Sequence, residues 1–272
     1  MRSIAAAASL FLLAASQASG QSPDTLAHDK TFLTRRDLGI SVVALGATGL
    51  LSHWDTDIAR ASQGSRFQDS SLHSLALKIS KVNETSLTVA EILAYGIARA
   101  TGQRTLTDVA LHATESVVLA SLSSQVIRGP LGRARPYVTG DSDQYDFKFG
   151  AGFRTKDAGF ERRAFPSIHT SSSMAVATVI TMEMQRRHLA ATPFVAPVLL
   201  AAGLLPGLAR IQLDQHWASD VAAGAFMGVF AGYKVVSYSH DHPNNYFDRT
   251  LLKMTVAPDA GGRFRIGFSP SM

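Results

Sequence analysis

A succession of apolar segments with helical periodicity constrains the fold of this chain more than any other feature. Apolar residues recur three and four positions apart, the pattern of a helix with one buried face. Helices are predicted over 37–53, 72–82, 86–101, 108–127, 167–187, 193–208 and 216–238. Charged residues make up only 17% of the chain, against about 25% in ordinary globular proteins. The sequence therefore predicts an all-α bundle of about six or more helices.

The two ends of the chain differ from this helical body. Residues 1–20 combine Arg2 with an apolar run and a small-residue end, the pattern of a secretory signal. We expect a polar tail over 21–36, the helical domain over 37–250, and a tail over 251–272 containing a short β-hairpin, because extended runs flank a Gly-rich turn. An exported, periplasmic or secreted chain without cysteine depends on its core rather than on disulfides.

The charge balance indicates the class of partner. Basic residues exceed acidic ones, 26 against 21, which suits an anionic substrate or a membrane surface. The basic residues are scattered rather than clustered along one helix, which argues against nucleic acid. The segment 193–208 is short for a span and carries Pro193, Pro197 and Pro206. We therefore expect a soluble domain, or one in peripheral contact with a membrane.

Three arginines follow the predicted helix 108–127. Arg128, Arg133 and Arg135 lie within eight residues, next to Pro130 and Pro136, which are expected to stop the helix. The guanidinium fork matches the oxygens of a phosphate. A solvated basic loop is the alternative for this segment alone, and Arg133 is the weaker phosphate ligand.

Two further clusters lie at predicted helix starts. Ser167, Ile168 and His169 open one helix, where free backbone N–H groups and a hydroxyl form an anion site. In the other cluster, His216 and Asp220 are four residues apart and share a helical face, so that the carboxylate can orient the imidazole. Taken singly, each cluster is equally compatible with a helix cap.

Taken together, the three clusters resemble the type 2 phosphatidic acid phosphatase (PAP2) family, which includes bacterial acid phosphatases and vanadium haloperoxidases. The family pattern is Lys, six residues, Arg-Pro; then Pro-Ser-Gly-His; then Ser-Arg, five residues, His, three residues, Asp. The matching positions keep the order and the spacing: Arg128, Arg135-Pro136, Pro166-Ser167-Ile168-His169, Ala209-Arg210, His216 and Asp220. Arg128 stands in place of Lys, Ile168 of Gly and Ala209 of Ser, and Ile168 is the departure expected to crowd the phosphate.

The resemblance implies a metal-independent phosphatase without a cofactor. His216, oriented by Asp220, would attack phosphorus and form a phosphohistidine, and His169 would protonate the leaving oxygen. Arg128, Arg135 and Arg210 would hold the phosphate oxygens, together with Ser167 and the backbone amides of Ser167 and Ile168. The expected partner is a phosphorylated small molecule or lipid. The alternatives are a vanadate-dependent haloperoxidase and a catalytically weak relic of the same fold.

Two other segments carry weaker signals. Residues 137–164 lack periodicity and contain several glycines and phenylalanines, which predicts a mobile, substrate-selecting cover. His240-Asp241-His242 follows the last long helix and is interpreted as solvated rather than metal-binding.

Overall fold

The computed structural model describes residues 32–154, 158–243, 245–246, 254–258 and 264–268. Its helices are α1 (Arg35–Ser52), α2 (Asp55–Ser62), α3 (Ser70–Ile79), α4 (Glu84–Ala100), α5 (Arg104–Leu131), α6 (Pro136–Thr139), α7 (Ala158–Glu161), α8 (Ile168–Arg186), α9 (Thr192–Gln212) and α10 (Ala218–Asp241), with a 3-10 turn at Ala151–Phe153. This helical body confirms the predicted all-α bundle. The predicted signal at 1–20 lies outside the described residues.

Several helix ends differ from the expected ones. Helix α1 begins at Arg35, inside the predicted tail, because Thr34 and Asp37 form a reciprocal capping box. Pro130 does not stop α5, which continues to Leu131 and ends at the left-handed Gly132. A proline in the last turn removes only one hydrogen bond near the helix end, so the helix tolerates it there.

Two short strands follow the helical body. β1 (Met254–Pro258) and β2 (Phe264–Phe268) pair antiparallel, with Met254 opposite Phe268. They lie in the stretch where the sequence predicts a hairpin, and the connecting residues 259–263 are outside the described part of the chain.

Helix α8 is the central helix, packed against α5, α9 and α10. Twelve of its nineteen side chains are buried, and most of these twelve are small or hydroxylated. The hydroxyl of Ser171 meets that of Ser124 on α5 at 3.1 Å, and Ser173 Oγ donates to the carbonyl of Gly203 on α9. These contacts satisfy polar atoms that would otherwise be costly to bury.

A glycine stripe on α10 allows this helix to approach α8 closely. Gly224, Gly228 and Gly232 are spaced four residues apart and share one face. A Cβ atom at Gly224 would collide with the carbonyl of Ser167, and one at Gly228 with the carbonyl of Ser171. Close contact of backbones through small residues is a common way for apolar helices to associate without large interlocking side chains.

The outer faces of the bundle are apolar. Large exposed side chains occur on α1, α4, α5 and α9, for example Val43 (72% exposed), Leu93 (60%), Leu122 (61%) and Phe194 (80%). Large exposed apolar side chains in this number are typical of a surface that contacts a membrane or another protein.

Two helices, α9 and α10, are long and apolar enough to cross a membrane. The predicted segment 193–208 is too short: α9 includes Pro197 and Pro206 and extends over 21 residues to Gln212, so its length no longer argues against a span. Helix α10 is largely buried within the bundle, whereas α9 is largely exposed.

The glycine stripe predicts a stability difference between two Gly-to-Ala substitutions. Gly228→Ala places a methyl group against backbone atoms of α8 that cannot move aside, and we expect a loss of about 1–3 kcal/mol in unfolding free energy. Gly96→Ala in α4 meets nothing within 4 Å, so that alanine's helix propensity should leave stability unchanged or raised. Denaturant unfolding of the two purified variants measures the difference. Equal effects would contradict the close approach of α10 to α8.

Candidate active site

Four helix ends bring the sequence-predicted site residues together. Arg128 and Arg210 lie in the last turns of α5 and α9, His169 lies in the first turn of α8, and His216 comes just before α10. The start of α8 is tied to α10 by a hydrogen bond of 3.0 Å from the Ser167 N–H to the Asp220 carbonyl.

His216 is buried beside the carboxylate of Asp220. Its exposed fraction is 1%, and its Nδ1 lies 3.5 Å from Asp220 Oδ2, longer than an ordinary hydrogen bond. The same Oδ2 accepts the backbone N–H of Trp217 at 2.8 Å, which fixes the carboxylate at the helix start. Neither ring nitrogen of His216 has a hydrogen-bond partner among the described residues. The ring is therefore held by packing, with a nitrogen available for chemistry.

Arg133 is occupied by two carboxylates and is not a phosphate ligand in this arrangement. Its Nη1 donates to Asp220 Oδ1 at 2.6 Å and its Nη2 to Asp55 Oδ2 at 2.8 Å. Asp55 also accepts the backbone N–H of Ser219. All three ionic side chains are at most 2% exposed, so each compensates the burial of the others. Arg133 thus positions Asp220, and only indirectly His216.

Asp55 could not be found from sequence patterns. It begins α2, a short helix far from the motifs in the chain, and an aspartate in the first turn of a helix is common for helix-dipole reasons alone. Only the tertiary fold brings it to Arg133, which is 78 residues further along.

The segment 137–164 holds the arginines in place through its backbone carbonyls. Arg128 donates to the carbonyl of Arg163 through Nε and Nη2, at 3.0 and 2.6 Å. Arg135 Nε donates to the Phe160 carbonyl at 2.9 Å. The described parts of this segment are therefore hydrogen-bonded to the site, and the mobile, substrate-selecting cover stays a prediction.

Gln215 links the other two arginines of the site. Its side-chain Oε1 accepts from Arg135 Nη1 at 3.0 Å and from Arg210 Nη2 at 3.3 Å. The one feature of the sequence that could have indicated a role for Gln215 is its position directly before His216. Arg210 Nε is buried without a partner among the described residues, so part of this guanidinium group is available for an anion.

The start of α8 supplies fewer donors than expected. The N–H of Ser167 is used by the Asp220 carbonyl, so it cannot bind phosphate as predicted. The Ser167 hydroxyl accepts from Thr170 Oγ1 at 2.9 Å and keeps its own proton to donate. Ile168, which stands where the family has Gly, is 3% exposed, and its side chain is taken up by the protein interior.

The arginines act electrostatically on both histidines. Burial, followed by the positive charges of Arg210 and Arg128, lowers the pKa of His169 from 6.5 to about 3. Burial and the same set of arginines lower the pKa of His216 well below its usual value. Both imidazoles are therefore neutral near pH 7 when no anion is bound.

Glu84 was not predicted as part of this region. It lies in the first turn of α4, and one of its carboxylate oxygens is buried without a hydrogen-bond partner among the described residues. Burial and Arg135 lower the pKa of Arg128, whereas Glu84 opposes this effect. Glu84 is thus a negative charge near the group of arginines.

Comparison with known proteins gives a consistent assignment of fold. Residues 109–243 match the model of the PAP2 superfamily. A lipid A 1-phosphatase from Porphyromonas gingivalis is 27% identical over 128 residues. The match covers 43% of this chain and 27% of that relative, so the chain spans about a quarter of the relative's length.

A solved structure supports the helical architecture. The crystal structure of a transmembrane PAP2 type phosphatidylglycerolphosphate phosphatase from Bacillus subtilis superposes with a TM-score of 0.55 at 18% identity. The likeness covers 77% of this chain and 98% of that one. The match over 109–243 contains all the clustered arginine and histidine residues described above, and this segment of the chain belongs to the PAP2 superfamily.

Proposed function

We propose that this protein is a metal-independent phosphatase that hydrolyses phosphate monoesters through a phosphohistidine intermediate. The observation that carries the proposal is the buried, unpaired imidazole of His216 surrounded by arginines. A buried ring nitrogen without a hydrogen-bond partner costs free energy, so its retention beside so many cations suggests a catalytic use. His169 is a second imidazole beside the same arginines, but only His216 of the two has a carboxylate, that of Asp220, 3.5 Å from its Nδ1 among the described residues.

In the first step, Nε2 of His216 attacks phosphorus and the ester P–O bond breaks. Asp220 stabilises the positive charge that develops on the ring. The leaving oxygen takes a proton from His169, which can hold it once the dianionic phosphate offsets the charge of the arginines. Arg128, Arg135 and Arg210 bind the non-bridging oxygens and stabilise the charge of the transition state.

In the second step, water attacks the phosphorus and the N–P bond breaks. His169, now neutral, accepts a proton from the attacking water, and the water oxygen forms the new bond to phosphorus. His169 is then protonated again. Inorganic phosphate leaves, and His216 returns to its neutral state. The Ser167 hydroxyl and the Ile168 backbone N–H are proposed as further donors to the phosphate throughout.

We propose a lipid phosphate as the substrate class. The exposed apolar faces of α4, α5 and α9 are compatible with a protein in contact with a bilayer, where such substrates lie. The relatives are named as phosphatases of lipid A and of phosphatidylglycerolphosphate. With the signal pattern in residues 1–20, we propose an exported, membrane-associated enzyme.

Replacing His216 tests the nucleophile and the substrate class together. We expect His216→Ala to lower kcat by at least about 1,000-fold, with loss of the acid-labile phosphoenzyme that the wild type forms. His53→Ala, on the exposed end of α1, is the matched control and should keep full activity. Wild-type rates are measured on a phosphorylated lipid in mixed micelles and on a soluble aryl phosphate.

The outcomes separate the parts of the proposal. Full activity of His216→Ala would exclude the nucleophile, and equal kcat/KM on lipid and aryl phosphate would exclude the lipid class. Bromide oxidation in the presence of vanadate, without phosphatase turnover, would favour the haloperoxidase alternative.

Asp55→Asn tests the positioning of Asp220 by the buried ionic network. Without the Asp55 charge, Asp220 is the one carboxylate that Arg133 still contacts among the described residues. The position of the Asp220 carboxylate relative to His216 is therefore expected to change. We expect kcat to fall at least about tenfold with little change in KM, and the unfolding free energy to fall by about 3 kcal/mol. Asp57→Asn, exposed on the same helix, is the control. A rise in KM with kcat intact would instead place Asp55 in substrate binding.

His169 predicts a loss of stability in acid. The pKa of His169 is about 3 in the folded protein and 6.5 in the unfolded one, so below pH 6.5 the unfolded chain binds a proton that the folded chain does not. The contribution of neutral His169 to the unfolding free energy is therefore fully present above pH 6.5. It decreases as the pH is lowered, by up to about 2 kcal/mol between pH 7 and 5. We expect His169→Gln to remove this part of the loss in denaturant titrations. An identical pH dependence in wild type and variant would argue against a buried neutral His169.

A further inference from the structure

A second cluster of chemically active side chains lies at the opposite end of the bundle from His216. His112 on α5, Glu183 on α8 and His240 on α10 converge there. Glu183 Oε1 lies 2.8 Å from His112 Nδ1 and 2.8 Å from His240 Nε2. Fifteen residues of α8 separate Glu183 from Ile168, so this cluster is roughly 22 Å from the start of that helix.

The three donor atoms have the composition and spacing of a metal site. They lie within 4.8 Å of one another, so a cation placed between them would reach all three after small side-chain adjustments. Two imidazoles with one carboxylate is a ligand set that zinc accepts, with water completing a tetrahedron. Among divalent cations, magnesium and calcium prefer sets made of oxygen atoms only.

The surroundings of the cluster fit a bound cation as well. His112 and Glu183 are buried, whereas the side chain of His240 is 33% exposed, which provides an entry path. Arg187 approaches the other carboxylate oxygen, Glu183 Oε2, at 3.2 Å, and also Asp108 at 3.6 Å. Oε1 is thus the oxygen turned to both histidines. Arg187 orients the carboxylate from outside, as a supporting residue does at a metal site.

We propose that His112 Nδ1, Glu183 Oε1 and His240 Nε2 bind one zinc ion, which joins α5, α8 and α10 at the end of the bundle away from the phosphatase site. His240, interpreted from the sequence as solvated, has a partly exposed side chain, and its Nε2 also contacts a buried carboxylate on another helix. The zinc ion would take no part in phosphate hydrolysis. Its role is structural, since a cation held by three helices stabilises their packing.

Titration of the untagged, metal-stripped full-length protein with Zn²⁺ tests the site. Calorimetry should show one high-affinity zinc ion per chain, and saturation should raise the unfolding temperature by several degrees. Co²⁺ in place of Zn²⁺ should produce visible absorption bands of a low-coordinate site. His240→Ala should weaken binding at least about tenfold and remove the thermal shift. Phosphatase activity before and after metal removal is expected to be the same.

His242→Ala is the matched control, because His242 is two residues further on and stacks on Tyr238 rather than facing Glu183. Glu183→Gln is the second variant and should also weaken zinc binding. Its phosphatase activity serves to check that the variant is folded. Equal zinc affinity in wild type and His240→Ala, or no saturable binding in the wild type, would overturn the proposal. The cluster would then be a hydrogen-bonded carboxylate between two imidazoles. Neither result bears on the nucleophile, which His216→Ala tests.

Discussion

The close contact between α8 and α10 is the constraint on which the rest of the structure depends. It places the carbonyl of Ser167 against Gly224 and that of Ser171 against Gly228. At this separation the Ser167 N–H donates to the Asp220 carbonyl. This hydrogen bond joins the residue before α8 to the first turn of α10, and the two segments form one unit. His169 and His216 belong to opposite sides of this unit. A wider spacing of the helices would separate the two histidines.

The second constraint is the burial of positive charge. Arg128, Arg133 and Arg135 are each at most 6% exposed, and of the three only Arg133 has ion-pair partners within the described part of the chain. Arg128 and Arg135 are compensated by neutral carbonyl oxygens, which satisfy their hydrogen bonds without cancelling their charge. In the proposed mechanism, the dianionic phosphate of the substrate would supply the missing negative charge. Burial and the same uncompensated charge lower the pKa of both histidines, which the proposed nucleophilic role of His216 requires.

Much of the site could be predicted because its residues lie in short motifs at helix ends. Arg128, His169 and His216 were placed together through the family resemblance that their order and spacing carry, and the existence of the long helices followed from apolar periodicity. Asp55, Gln215 and Glu84 were missed, since their roles arise from contacts between elements distant in the chain or from a neighbour's side chain. The length of α9 was underestimated for another reason: apolar periodicity ended the helix at residue 208, whereas the helix continues to Gln212. His240 shows the same limit, because a histidine near a helix end has no sequence signal for a partner on another helix.

The attachment of segment 137–164 through main-chain oxygens has a consequence for how such an enzyme can diversify. Every amino acid offers the same carbonyl, so the residues at positions 160 and 163 can be exchanged without releasing Arg135 or Arg128. Exposed side chains there, such as that of Phe160, can therefore be substituted to suit other substrates. Insertions or deletions are not tolerated in the same way, because they would shift the oxygens that aim the guanidinium groups. Specificity can thus vary by substitution while the length of the segment stays fixed.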